Sequence, residues 1–154
     1  MSTSPLIYQR QGARALLTLH RPERRNALSP ELVQELLAGL ARAKADPGAL
    51  VVVLTGAGDK AFCAGGDLGG GMMDAGVVPA HLAREGFADL FRAMRDLGKP
   101  LVARVNGDAL GGGLGLVAAC DLVVAREDVR FGTPEIKLGL FPWIILASIL
   151  AAVG

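Results

Sequence analysis

Three short apolar runs, separated by helical and glycine-rich segments, constrain the fold of this chain most strongly. Residues 50–54 are apolar at every position, so a strand formed by them has two apolar faces. Such strands are typical of parallel sheets that helices cover on both faces. Leu101–Val105 and Leu122–Ala125 are also predicted as strands. We therefore expect an α/β fold with buried sheet layers, and helices on both sides of the strand at 50–54.

Periodic apolar residues predict the helices between these strands. Ser29 suits an N-cap and Pro30 suits the first helical position, and apolar residues then recur at helical spacing until 46–48. Alternating residues over 6–20 predict a β-hairpin. Short strand-to-strand connections leave room for a spiral arrangement instead of a doubly wound sheet. Further helices are predicted at about residues 79–96, at 113–120 and from about 141.

Composition favours one soluble domain that spans residues 1–154. The chain is 51% hydrophobic and 20% charged, which is enough apolar material for one core. Its 16 basic and 15 acidic residues are interspersed and give a net charge of +1. Because a basic stripe is missing, we expect no nucleic-acid partner.

Cysteine and histidine positions argue against metal binding. Cys63 and Cys120 have no CxxC spacing, and His20 and His81 are far apart. The N-terminus shows no secretory signal, and the apolar residues 141–153 are fewer than the ~18 that a membrane span needs. We expect a metal-free, cytoplasmic protein with no membrane partner.

Two glycine-rich motifs resemble nucleotide-binding fingerprints only partly. Residues 56–61 match GxGxxG/A after a strand, but the glycine-rich residues that follow cannot continue a helix. Gly107 and Gly112 have P-loop spacing, but Gly113 and Leu114 stand where lysine and serine or threonine are required. Nicotinamide binding and NTP hydrolysis are therefore disfavoured.

The same glycines place bare backbone at one edge of the predicted sheet. Residues 64–67 and 111–113 each follow a buried strand, and glycine permits close approach of a ligand to backbone N–H groups. Each cluster alone is better explained by tight turns and close helix-to-strand packing. Two clusters together suggest a pair of amide donors for a developing negative charge.

Six short segments follow one another along the chain: 21–28 (RPERRNAL), 54–58 (LTGAG), 62–68 (FCAGGDL), 106–107 (NG), 109–113 (ALGGG) and 131–135 (FGTPE). Together they closely resemble the successive signatures of the crotonase family, which is the enoyl-CoA hydratase/isomerase family. The resemblance implies a crotonase-like spiral of ββα units, with the family's C-terminal helices absent from this chain. It also implies a homotrimer or hexamer for the full-length protein.

The resemblance further implies an acyl-CoA site. The amides of Gly66 and Gly112 would hold the thioester carbonyl oxygen in an oxyanion hole, and Glu135 would be the acid/base carboxylate. Apolar neighbours such as Ile136 and Leu138 are expected to enclose that carboxylate. Coenzyme A is part of the substrate, so no separate cofactor is expected. The positions that match residues lining coenzyme A in the family are Arg25, Ala27, Ala64, Asp67 and Leu68; for Arg25, a solvated surface charge is an equal alternative.

One position departs from the hydratase pattern. Hydratases of the family carry a second glutamate two residues after the glycine triplet, where this chain has Gly115. Moving a double bond needs a single base, whereas syn hydration uses two acids, so Gly115 slightly favours isomerase chemistry. The alternatives are a hydratase that recruits Asp74, Glu85 or Asp89, and a catalytically silent module that binds coenzyme A or a partner.

Overall fold

The computed structural model describes residues 4–67, 77–139 and 141–154. Its larger sheet has five strands in the order β1-β2-β3-β5-β7, and its smaller sheet has three in the order β4-β6-β8. Among the described strands, only β1 and β2 pair in antiparallel fashion; the other pairs are parallel. The strands are β1 (Leu6–Gln11), β2 (Arg14–Leu19), β3 (Val51–Gly56), β4 (Ala61–Cys63), β5 (Leu101–Val105), β6 (Asp108–Leu110), β7 (Leu122–Ala125) and β8 (Phe131–Gly132).

Four α-helices accompany the sheets in the described part of the chain, and the best-defined start is that of α1. Ser29 caps this helix by accepting a hydrogen bond from the amide of Leu32, and Pro30 fills the first position as predicted. Short 3₁₀ turns cover Pro22–Arg24 and Pro134–Leu138. The α-helices are α1 (Pro30–Ala45), α2 (Val77–Arg95), α3 (Gly112–Ala118) and α4 (Trp143–Val153).

The order of elements repeats a strand of the larger sheet, a strand of the smaller sheet and a helix. β3, β4 and α2 form one such unit, β5, β6 and α3 the next, and β7, β8 and α4 the third. This arrangement confirms the expected spiral of ββα units. The strands of the smaller sheet were not predicted, because two or three residues in a glycine-rich segment leave no periodic pattern.

The core lies on one face of the larger sheet. Side chains of that face are buried against α1, α2 and α3, and along β2, β3 and β5 they alternate with less buried residues as a half-buried sheet requires. The main members of this layer are Ala15, Leu17, Leu19, Val52, Leu54, Leu101, Ala103 and Val105.

The opposite face corrects the expectation that helices cover both sides of β3. In the part of the chain that the structure describes, Val53 and Val102 are half-buried on this face and Arg104 is exposed. All four residues of β7 are exposed as well. The apolar sequence of β3 was therefore a correct indicator of a parallel strand but not of two covered faces.

The last helix leaves much of its apolar surface exposed. Trp143 is 74% exposed and Val153 is 73% exposed, whereas Ile145 is buried against the core. An open groove of about 1220 Å³ runs between α2, α3 and α4. Over the described ranges, no helix combines the length and apolarity that a membrane crossing requires.

Candidate active site

Residues 21–28 form a tight loop in front of α1. Arg25 and Asn26 both adopt left-handed backbone conformations, with φ of 51° and 54°. Asn26 is fully buried, and its side-chain amide donates to the carbonyls of Ala57 (3.0 Å) and Ala61 (2.8 Å) while its oxygen accepts from the amide of Arg21 (3.0 Å). One asparagine therefore fixes the loop on the turn between β3 and β4.

The segment after β4 docks on this loop as a short parallel pairing of Gly66 with Leu28. The amide of Leu28 donates to Gly65 (2.8 Å), and the amide of Asp67 donates to Leu28 (3.0 Å). In such a pairing the central residue's own N–H and C=O point to the other edge of the strand. The N–H of Gly66 is therefore directed away from Leu28.

The glycine triplet lies against this free edge. A Cβ built on Gly65 would be 3.4 Å from the nitrogen of Gly112, and a Cβ built on Gly112 would be 3.7 Å from the nitrogen of Gly66. Gly112 is the first residue of α3, so its amide has no acceptor within the helix. Neither the Gly66 nor the Gly112 amide donates to another of the described residues.

Glu135 is an ionisable group that lies next to the glycine triplet. Its carboxylate packs on Gly111, where a Cβ would overlap Oε1 and lie 3.0 Å from Cδ. Gly111 has a φ of 53°, which suits glycine, and its amide donates to the carbonyl of Gly132 (2.8 Å). Glu135 Oε2 is buried and finds no hydrogen-bond partner among the described residues. The carboxylate thus has an oxygen with unused hydrogen-bonding capacity beside two unused amides.

Ile136 does not contribute to the apolar wall expected around Glu135. Ile136 points to solvent and is 74% exposed, which corrects the prediction for that residue. A 3₁₀ turn of five residues cannot direct two adjacent side chains to the same side, and Glu135 takes the inward position. The side chain of Leu138 lies outside the described part of the chain.

Comparisons with known sequences and structures identify the family to which this arrangement belongs. A sequence profile described as enoyl-CoA hydratase/isomerase matches residues 9–154. This chain is a member of the enoyl-CoA hydratase/isomerase family. The match covers all the segments that carry the glycines and Glu135, so the family resemblance of the sequence is confirmed.

Individual relatives extend well beyond the matched region. A Thermus thermophilus protein, named provisionally as an enoyl-CoA hydratase, is 41% identical over 97% of this chain and 59% of its own length. The mitochondrial 3-hydroxyisobutyryl-CoA hydrolase of Gallus gallus is 36% identical over 92% of this chain and 37% of its own. A Legionella pneumophila crystal structure, described provisionally as an enoyl-CoA hydratase/isomerase (crotonase), matches with a TM-score of 0.92 at 35% identity. It covers 99% of this chain and 60% of that one.

Within the enoyl-CoA hydratase/isomerase fold, Gly115 lies at a closely packed point. A Cβ at this position would overlap Cγ2 of Ile145 and lie 3.0 Å from Cζ of Phe91. The first turn of α3 thus packs on α4 and α2 where a larger residue would project. The space beside Gly115 is filled by Ile145.

The structure brings together Gly66, Gly112 and Glu135, the three residues predicted to be catalytic. Ala27 is buried and Arg25 is exposed, but the carbonyl of Arg25 accepts from the amide of Ala64 at 3.0 Å. The predicted coenzyme A residues of the two loops are thereby neighbours. Asp67 is buried, and Leu68 lies outside the described residues.

Two of the three acids considered as a second carboxylate lie in the described residues, and both are exposed. Asp74 lies outside the described residues. Glu85 and Asp89 lie on the exposed side of α2, and Asp89 pairs with Arg92 at 2.8 Å.

Sequence reasoning missed the side chains that hold the two loops in place. Besides Asn26, these include Arg21 and Asn106. Asn106 donates to the carbonyls of Gly56 (2.9 Å) and Gly58 (2.7 Å) and accepts from the amide of Gly56 (3.0 Å). A short amide side chain at the end of a buried strand is the signal that could have identified Asn106.

One carboxylate and one thiol around the site have shifted pKa values. Hydrogen bonds from Arg130 hold the pKa of Asp108 below its usual range, with a smaller contribution from the charge of Arg25. Burial raises the pKa of the Cys63 thiol to about 12, so it is protonated at neutral pH and unsuited to nucleophilic attack. Across the described residues, no three histidine, cysteine or acidic side chains are grouped to hold a metal ion.

Proposed function

We propose that this chain forms the catalytic core of an enzyme that binds an acyl-CoA thioester and stabilises its enolate. The thioester carbonyl oxygen would accept hydrogen bonds from the amides of Gly66 and Gly112. Glu135 would exchange a proton with the carbon next to the carbonyl. One observation carries the proposal: two amides that donate to none of the described residues meet beside a carboxylate oxygen that has no hydrogen-bond partner among them.

The amides are suited to catalysis because they are fixed before the substrate arrives. Negative charge grows on the carbonyl oxygen as the proton leaves the α-carbon, and amides already directed at that oxygen need no reorganisation. Removal of one such donor from comparable sites costs about 100-fold or more in rate. Because Gly66 and Gly112 have no side chains, neither residue places a Cβ of its own beside its amide.

Isomerisation of a 3-enoyl-CoA is the reaction that one carboxylate can complete. Glu135 takes a proton from C2, and the C2–H electrons form a dienolate whose oxygen rests on the two amides. The protonated Glu135 then returns the proton to C4, which leaves the double bond between C2 and C3. Atoms and charge balance without a second acid, which fits Gly115 and the packed Ile145 beside it.

Hydration of a 2-enoyl-CoA is the second candidate, because relatives carry that name. The short-chain-enoyl-CoA hydratase of Clostridium acetobutylicum is 35% identical over 92% of this chain and 54% of its own length. Hydration in this protein would need another group to position water, supplied by residues outside the described ranges or beyond this core. The name of the Gallus gallus relative makes thioester hydrolysis a third reaction to assay.

The test is to present the full-length protein with 3-hexenoyl-CoA and 2-hexenoyl-CoA in separate reactions. Isomerisation converts the first to the second, hydration consumes the second without releasing thiol, and hydrolysis releases free coenzyme A. We expect isomerisation to be the fastest of the three. Faster hydration or hydrolysis would overturn the choice of reaction. Tight binding of butyryl-CoA without any turnover would identify a silent binding module instead.

A further inference from the structure

We propose that Arg21 is a positioning residue for the amide of Gly66, an inference that rests on the function proposed above. The guanidinium reaches two acceptors on different loops. Its Nη1 donates to the carbonyl of Ala27 at 2.5 Å, and its Nη2 bonds to Oδ2 of Asp67 at 2.8 Å.

The two acceptors bracket the pairing that directs the Gly66 amide. Ala27 immediately precedes Leu28, and Asp67 immediately follows Gly66. Arg21 therefore holds the two strands of the Leu28–Gly66 pairing from one side, in parallel with the two backbone hydrogen bonds of the pairing itself. The planar guanidinium fixes the distance between its acceptors, which a lysine ammonium does not.

Burial makes this ion pair more persistent than the others of its length. The side chains of Arg21 and Asp67 are 18% and 8% exposed. The Arg10–Asp46 pair has the same separation of 2.8 Å, but each of its side chains is 32% exposed. Water competes less for the buried pair, so its geometry is held more tightly.

Gly66 depends on such external support. It has no side chain to pack, and its neighbour Gly65 has a φ of 99°, so the local backbone is intrinsically free. A displacement of about 1 Å in a catalytic group can cost on the order of 100-fold in rate. Loosening the support should therefore reduce turnover more than it reduces binding of the coenzyme A moiety.

The experiment compares Arg21→Lys with Arg10→Lys in the full-length protein. It measures turnover of 3-hexenoyl-CoA, the Kd of butyryl-CoA by calorimetry, and the infrared carbonyl frequency of bound butyryl-CoA carrying a labelled thioester carbonyl. Hydrogen bonds from the amides lower that frequency. We expect Arg21→Lys to reduce kcat by about 10- to 100-fold, to lose much of the frequency shift and to change Kd less than about threefold. Arg10→Lys should match the wild type in all three.

Two results would overturn the positioning role while leaving the proposed function intact. One is wild-type kcat and carbonyl frequency in Arg21→Lys. The other is a smaller fraction of protein that binds butyryl-CoA, with a wild-type carbonyl frequency in the fraction that does bind. A residue with a purely structural role would produce that result. If Arg21→Lys does not fold, the same readouts are taken on Asp67→Asn. A carbonyl frequency in Asp67→Asn equal to that of the wild type also overturns the role. A wild-type protein that does not lower the frequency at all refutes the proposed function itself.

Discussion

At the scale of single residues, the site depends on glycines because they carry no side chains. The Glu135 carboxylate occupies the space where Gly111 would carry a Cβ, so any side chain there would displace it. The next residue, Gly112, supplies the amide proposed to bind the thioester oxygen. Base and amide are therefore placed by adjacent residues of one turn, which fixes their relative positions.

Gly112→Pro tests the amide directly. Proline is tolerated at the first position of a helix and lacks the N–H, so the variant should fold and lose one donor. The nearest atom to the added ring carbon is Cδ1 of Leu28, at 3.1 Å from an ideal Cβ, and that side-chain end can move. We expect kcat to fall by about 100-fold or more, with an unchanged thermal midpoint. Full turnover in a normally folded variant would exclude this amide from catalysis.

The buried thiol of Cys63 makes the free energy of unfolding depend on pH. Burial raises the pKa of its thiol from 9.0 to about 12. The unfolded chain loses this proton first, so the stabilisation is complete below pH 9.0 and declines as the pH rises toward 12. Urea unfolding of wild type and Cys63→Ala at pH 7.5 and 10.5 measures the effect. The wild type should lose roughly 2 kcal/mol more than the variant over that interval, and equal losses would contradict the shift.

Local patterns were enough for some site residues and not for others. Gly66, Gly112 and Glu135 lie in short motifs, so the sequence predicts them. The pairing of Arg21 with Asp67 joins residues 46 positions apart, and no pattern within either segment specifies the partner. Long-range polar contacts of this kind are visible only after the loops have been placed by the fold.

At the scale of elements, the packing of α3 on α4 limits which residues can replace Gly115. Ile145 of α4 fills the space beside Gly115, so a glutamate introduced there has to displace it. Adding a second carboxylate to α3 therefore also requires room at α4.

The corresponding prediction uses one single and one double variant. Gly115→Glu should lower the free energy of unfolding by about 1–3 kcal/mol, the usual cost of overpacking, without gaining hydratase activity. Gly115→Glu combined with Ile145→Ala should recover part of that loss and raise the hydration of 2-hexenoyl-CoA relative to isomerisation. Chemical denaturation and the two activity assays check this. A stable single variant with full hydratase activity would refute the packing argument.

Elements with a strong internal pattern were predicted, and short or irregular ones were not. The hairpin, α1, α2 and the strands at 50–54 and Leu101–Val105 follow from periodicity and capping. β4, β6 and β8 are two or three residues long and depend on pairing with one another, so no local sequence pattern predicts them. The second face of β3 was predicted as covered because apolar residues at every position are typical of strands with two buried faces, whereas the described residues cover one face.

At the scale of the whole molecule, the exposed apolar surface is concentrated around β7 and α4. Leu122 and Val124 are 62% and 64% exposed, and Trp143 and Val153 are still more so. Surfaces of this kind on a soluble protein usually contact another polypeptide. The chain spans 59% and 37% of the length of the Thermus thermophilus and Gallus gallus relatives, and 60% of the Legionella pneumophila structure.

We predict that a protein limited to residues 1–154 associates with itself or turns over acyl-CoA poorly, because this surface is apolar and exposed. The full-length protein is expected to be a trimer or a dimer of trimers. Analytical ultracentrifugation of both forms, together with the 3-hexenoyl-CoA assay, measures this. A monodisperse and fully active monomer of residues 1–154 would contradict the prediction.

The most direct test of the whole account is Glu135→Gln in the full-length protein, with the exposed Glu127→Gln as the matched control. Glutamine keeps the shape of Glu135 and cannot accept the proton. The account predicts that kcat for 3-hexenoyl-CoA falls by about 10²- to 10⁴-fold while the Kd of butyryl-CoA stays nearly constant, and that Glu127→Gln changes neither. A Glu135→Gln enzyme that turns over at the wild-type rate would contradict the account.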